Sequence, residues 1–131
     1  MTARCQLFYL SHLAPDTSPA CVAEIVRAAR RRNSEYRINS LLVFDGWRFC
    51  ECIEGPDAVV RTLADCIRTD VRHTDFTVLH QGEAVIPLRL GRKRLVYALS
   101  YDDSLDRFEQ AHGAQAIALL AGMLPTFDLE P

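Results

Sequence analysis

The chain lacks any apolar run of 18 residues, so no membrane-spanning helix is expected. No signal peptide is expected either, since Met1-Thr2-Ala3-Arg4 leads straight into a strand-like segment. There is no disulfide framework. Five cysteines, an odd number without framework spacing, read as reduced thiols and point to the cytoplasm. A strong charge of one sign is also absent. Fifteen basic against seventeen acidic residues give a net charge of −2, which argues against non-specific nucleic-acid binding as the main task. Internal repeats and low-complexity segments are absent too. What remains is 131 residues of ordinary globular composition, enough for one domain with a sizeable core.

The informative stretch runs from Asn39 to Pro56. Two apolar runs flank Asp45-Gly46, a dipeptide that favours a tight hairpin because both residues tolerate positive φ. The first run, Leu41-Leu42-Val43-Phe44, is apolar at successive positions, as in a strand covered on both faces. In the second, alternation puts Trp47, Phe49, Glu51 and Ile53 on one face and Arg48, Cys50 and Cys52 on the other. Glu51 thus shares a face with large apolar side chains. A carboxylate there is costly unless paired, protonated or hydrogen-bonded. Gly55-Pro56 ends the strand and opens a helix, with proline where its missing N–H costs nothing.

Around this hairpin the chain alternates. Cys5 to Ser11 is a first strand, with Leu7, Tyr9 and Ser11 on one face and Phe8 and Leu10 on the other. A helix starts near Pro19, capped by Thr17 or Ser18, with Val22, Ile25, Val26 and Ala29 as its stripe. It exits through Arg30-Arg31-Arg32-Asn33, arginines that read as a solvated helix end. Ala58, Val59, Leu63, Ala64 and Ile67 mark a second helix ending near Asp70. A strand follows from about Phe76 to Gln81. Pro87 argues against a central strand over 82–92. Arg94 to Tyr101 is a last strand, and a third helix, capped by Asp102 or Asp103, runs to about Met123. Residues 125–131 read as loose. The order predicts an α+β, ferredoxin-like βαββαββ sheet with an additional C-terminal helix on the opposite face.

Tyr9 and Ser11, Asn33, the Leu41–Phe44 strand, Phe49, Ile53-Glu54-Gly55-Pro56 and Asp70-x-Arg72-His73 together resemble the BLUF domain, the sensors of blue light that use flavin adenine dinucleotide (FAD). The resemblance covers residues 5 to about 85 without a gap. It implies a flavin-binding core over 1–101 and a C-terminal helical extension over 102–131. It also implies an isoalloxazine ring between the two helices. By position, Tyr9 resembles the family's electron and proton donor and Asn33 its ring-holding Asn. Arg72 and His73 match the residues near the phosphates, where positive charge and N–H donors suit the ligand.

Glu51 departs from the pattern by standing where the family has its signature Gln. A carboxamide donates and accepts at once, whereas an ionised carboxylate only accepts. No neighbour on its own strand face offers a counter-charge, so Glu51 is expected to be protonated, with an altered photocycle. The family's late Trp and Met correspond to Arg92 and Arg94 by distance, or to Tyr97 and Leu99 by strand pattern.

Without the resemblance, Tyr9 reads as a core tyrosine and Cys50-x-Cys52 as core filling, since no second ligand pair lies nearby. Arg72-His73 reads equally as a cap on the second helix. Arg89, Arg92, Lys93 and Arg94 form a basic cluster read as solvated, or as a contact for a phosphate or a partner. Three functional classes remain. One is an FAD-binding photosensory module that signals through an unidentified protein partner. Another is a light-insensitive interaction module on the same fold. The third, an acylphosphatase-like hydrolase, is disfavoured because no glycine-rich phosphate loop follows the first strand. No enzyme activity, nucleic acid or membrane is expected, and homo-oligomerisation is left open.

Overall fold

The computed structural model describes residues 4–84, 90 and 93–130. Strands β1 (Arg4–Leu13), β2 (Asn39–Phe44), β3 (Arg48–Pro56), β4 (His73–Glu83), β5 (Leu95–Leu99) and β6 (Asp128–Leu129) form one sheet. Their order is β4-β1-β3-β2-β5-β6. The first four strands are antiparallel to their neighbours in the ferredoxin-like arrangement, and β5 then joins β2 in parallel. Helices α1 (Cys21–Tyr36) and α2 (Asp57–Arg68) make the two crossovers. A 3-10 helix (Ser104–Gln110) and α3 (Gly113–Met123) follow the sheet.

Alternation along the central strands sorts the core into two layers. Cys5, Leu7, Tyr9 and Ile53 pack with Val60 and Ala64 of α2, while Leu42, Phe44 and Phe49 pack with Val22, Val26 and Ala29 of α1. The opposite face carries Phe8, Leu10, Cys50 and Cys52 against Leu105, Phe108, Ile117 and Leu120 of the C-terminal helices. Phe8 and Phe108 meet edge to face, their centroids 5.1 Å apart. Tyr9 and Glu51 therefore lie under α1 and α2, and Cys50 and Cys52 under α3, as the alternation predicts.

Several local expectations change. The Asp45-Gly46 connection is not a two-residue turn, because Phe44 pairs with Phe49 and only Gly46 has positive φ. Asp45 instead accepts from the backbone N–H groups of Trp47 and Arg48 and so builds a wider loop. Trp47 leaves the core face for this loop, half exposed, stacked on His12 with Arg48 against its ring. The first helix begins after Ala20, with Ser18 Oγ accepting from Ala20 N–H in the preceding turn, and continues past Asn33 to Tyr36. The single third helix is two: the 3-10 helix ends at Gln110, and α3 restarts at Gly113, whose positive φ accommodates the break. The tail is not loose either. Phe127 is buried, and β6 pairs with β5 through Ala98–Leu129 and Leu99–Asp128. Pro87, Arg89 and Arg92 lie outside the described residues.

The Glu54-Gly55-Pro56 motif has a steric cause. A Cβ on Gly55 would overlap Cγ2 of the fully buried Ile38, which seals the end of β3 after α1. Gly55→Ala should therefore destabilise the fold by about 1–3 kcal/mol, the usual range for overpacking a tight core. Urea unfolding measures this, and an unchanged midpoint would show that the two segments can separate freely.

Candidate functional site

Antiparallel pairing of β1 with β3 sets Tyr9 directly opposite Glu51. The Tyr9 hydroxyl donates to Glu51 Oε1 at 2.8 Å, and both side chains are buried. The second carboxylate oxygen accepts from Nη2 of Arg32 at 3.2 Å. Arg32 reaches down from α1, where positions 22, 25, 26, 29, 32 and 33 continue one helical face. The arginine run is thus not uniformly solvated. That periodicity was the signal that could have singled out Arg32, and the charge of its neighbours obscured it.

Arg32 overturns the premise on which a protonated Glu51 rested. The premise held for Glu51's own strand, but the counter-charge comes from the helix above. Arg94 bonds Asn39 Oδ1.

A cavity of about 260 Å³ opens between α1 and α2 above this pair. Ile25, Ala28, Ala29, Leu42, Phe49 and Ile67 give it apolar walls; Tyr9, Arg32, Glu51, Asp70, Arg72 and His73 supply its polar groups. Across Arg32 lies a second, mainly apolar groove of about 480 Å³, lined by Tyr36, Ile38, Val59, Leu63 and Cys66 among others. Together the two have the size and chemistry of an ordinary cofactor site.

Of the five residues singled out from sequence, Tyr9, Glu51, Arg72 and His73 line the first cavity. Asn33 does not. It is fully buried in α1, where its amide donates to Ser40 Oγ and to the Arg94 carbonyl, both at 2.9 Å, and its Oδ1 accepts from Arg32 Nε. Arg72 is gripped by Asp70, whose two oxygens take Nε and Nη2. These bonds from Arg72 hold the Asp70 carboxyl below its usual range. His73 Nε2–H donates to the Ile67 carbonyl at 2.7 Å, so this ring does cap the end of α2, while it stands nearly perpendicular to the rings of Phe49 and Phe76 and tilted against Tyr9. Tyr97 and Leu99 pack on the α1 side of the sheet, and Cys50 and Cys52 are buried core thiols whose burial pushes both pKa values up. Ser11 Oγ, one alternation step from Tyr9, is buried and without a hydrogen-bond partner among the described residues.

The sequence pattern of BLUF, sensors of blue-light using FAD, matches residues 5–89. The chain belongs to the BLUF family. FAD is the cofactor by which that family is defined. Among characterised relatives, the blue light- and temperature-regulated antirepressor BluF of Escherichia coli (strain K12) is 26% identical over 122 residues, covering 85% of this chain and 30% of that protein. The photoactivated adenylate cyclase subunit beta of Euglena gracilis is 36% identical over 76 residues, covering 58% of this chain and 9% of that protein. The chain thus spans less than a third of either relative. Among solved structures, the dark state of the BLUF protein BlrB superposes with a TM-score of 0.78 at 23% identity, covering 96% of this chain and 98% of that one. Klebsiella pneumoniae BlrP1 with FMN and cyclic diGMP gives 0.72 at 21% identity, over 93% of this chain and 36% of that one. The α+β, ferredoxin-like sheet is the fold these BLUF structures share.

The donor set fits a flavin. Its ring presents mainly acceptor atoms along the edge that such a site must hold and its diphosphate is anionic, and this cavity offers guanidinium N–H groups at two places, from Arg32 and from Arg72. Leu42, Phe49 and Ile25 provide flat apolar contact. Among the described residues no helix is long and apolar enough to cross a membrane.

Burial, and next the Glu51 carboxylate, push the Tyr9 phenol well above its ordinary range. The unfolded chain releases that proton near pH ~10, and the folded one does not. Stability should therefore fall as pH rises past that value, because the unfolded state alone gains by ionising. Tyr9→Phe removes this component, so its stability should decline less steeply between pH 9 and 11 in urea unfolding. Equal slopes would mean that Tyr9 ionises normally in the fold.

Proposed function

We propose that this chain is a blue-light sensory domain that binds FAD non-covalently in the cavity between α1 and α2 and signals through a separate protein partner. The observation that carries this reading is the meeting of Tyr9 and Glu51 under two helices, at the bottom of a cavity with apolar walls and an arginine at its mouth. FAD supplies the light absorption. The protein's residues orient it, exclude water from one edge and hold a phenolic proton at Tyr9.

In this reading Leu42, Phe49 and Ile25 contact the ring faces, and Tyr9 and Glu51 stand at its polar edge. Arg72 and His73 lie toward the phosphates. Asp70 occupies Nε and Nη2 of Arg72, so Nη1 is the nitrogen that a phosphate oxygen would engage, with the guanidinium already fixed in place. Asn33 acts at the pyrimidine edge only if its amide exchanges Ser40 or the Arg94 carbonyl for the ring. The flavin-binding core comprises residues 1–101, and 102–131 form an extension covering the opposite face. Five cysteines without framework spacing support a cytoplasmic location, and the role that fits this reading is sensory and not catalytic.

FAD titration tests the proposal. The reconstituted protein should be yellow, with a band near ~450 nm from the oxidised cofactor. Arg72→Ala should weaken FAD binding, and more so at low salt than at high, since at high salt ions already screen the contact it removes. A protein that stays colourless with excess FAD would leave the light-insensitive interaction module as the correct reading.

A further inference from the structure

Glu51 is 3% exposed, and its two oxygens have separate partners on separate elements. Oε1 accepts from Tyr9 of β1, and Oε2 accepts from Arg32 of α1. The other titratable groups facing this cavity are Asp70 and Arg72, from the segment between α2 and β4, and His73, the first residue of β4. Asp70 and Arg72 neutralise each other, and His73 is committed to the Ile67 carbonyl. β2 contributes only Leu42. Arg32 is therefore the one cation bonded to the carboxylate among the described residues.

Arg32 is also the wall shared by both cavities. Its Nε donates to Asn33 Oδ1 and one Nη2 N–H to Glu51, leaving N–H groups of a five-donor fork at the cavity boundary. A guanidinium is a rigid donor array that stays charged when half-buried, so it can hold a buried carboxylate in its acceptor-only form.

We propose that Arg32 and an ionised Glu51 together take the place of the single carboxamide usual at this site, Glu51 accepting from Tyr9 and Arg32 donating to the acceptor edge of the ring. A carboxamide combines donor and acceptor in one side chain; here the two functions are split between α1 and β3. Arg32 is then a ring-contacting residue as well as the positioning residue for Glu51. This inference rests on the flavin reading of the cavity.

The experiment is a double-mutant cycle on FAD affinity, followed by flavin fluorescence, with infrared spectra of the same proteins at pH 7. The Glu51 band is assigned by difference from Glu51→Gln. Wild type should show a carboxylate stretch from Glu51, with and without FAD. Arg32→Ala should convert it to the carbonyl stretch of a protonated acid and weaken FAD binding ~tenfold or more. In the Glu51→Gln background the same change should cost only ~threefold or less, because no buried charge is left to compensate. Arg32→Lys, which keeps the charge, should keep the carboxylate band. A purely structural role for Arg32 would lower stability without moving that band. Wild type that binds no FAD overturns this inference together with the flavin reading. Wild type that binds FAD, yet shows additive effects or a carbonyl stretch from Glu51, overturns this inference alone.

Discussion

The central strand β3 is covered on both sides, and every residue from Arg48 to Gly55 is buried. Three of those eight positions are nevertheless charged, and each charge is met by a group from another part of the fold. Arg48 bonds Asp45 of its own loop and pairs with Asp106 and Glu109 of the 3-10 helix. Glu51 is met by Tyr9 and Arg32, and Glu54 accepts from Gln6 of β1. Desolvating a charge costs several kcal/mol, and an unpaired one in such a strand would undo much of a domain's net stability. The fold is therefore tied to a register. A one-residue slip of β3 would send all three charges to the wrong face, away from every partner they have.

That register gives the strand two different jobs. On one face, Phe49 and Glu51 form the floor of the cavity between α1 and α2, and Ile53 packs under α2. On the other, Cys50 and Cys52 form the floor for the C-terminal helices, and Arg48 anchors their first turn through Asp106. His12, at the end of β1, adds a contact between Asp75 of β4 and Glu109 of the same 3-10 helix. The C-terminal unit is thus joined to the sheet by an apolar layer and, at one edge, by a charged cluster. Neighbouring residues of a single strand bound the cavity and carry that unit.

Much of this was legible from residues 5–11 and 39–56, because period-two alternation is a direct image of a two-layered sheet. The positions of Tyr9, Glu51, Cys50 and Cys52 followed from it. Trp47 did not, since alternation says nothing about where a strand begins, and Asp45 capping the loop moved that start to Arg48. The break between the 3-10 helix and α3 did leave a sign: Leu105 and Phe108, and Ile117 and Leu120, each keep a helical spacing, but the step from Phe108 to Ile117 would put those two residues on opposite faces of one continuous helix, and Gly113 marks where the chain resets. Phe127 is buried and β6 pairs with β5 for tertiary reasons, in a segment whose terminal position suggested looseness. Arg32 was missed for a different reason. A run of arginines at a helix end has a sufficient local explanation in the helix dipole, and only the register of β3 beneath it shows that one of them has a buried partner.

The Arg32–Glu51 pair adds little to stability by itself. At 3.2 Å and an effective dielectric of about 20, the attraction is on the order of 5 kcal/mol, comparable to the cost of removing the two groups from water. What it changes is the chemistry of the site. A carboxamide has unlike ends, and turning it over exchanges a donor for an acceptor. A carboxylate's two oxygens are alike, so rotating Glu51 exchanges nothing, and the Tyr9 hydroxyl meets an acceptor in either orientation. Every donor that this pair can offer the cavity belongs to Arg32. Arg32 sits on a helix, is half-way to solvent and has a long, flexible stem, whereas Glu51 is fixed in the most buried strand of the sheet. A rearrangement of the hydrogen bonds between this pair is therefore a movement of the guanidinium, with residue 51 as the fixed point.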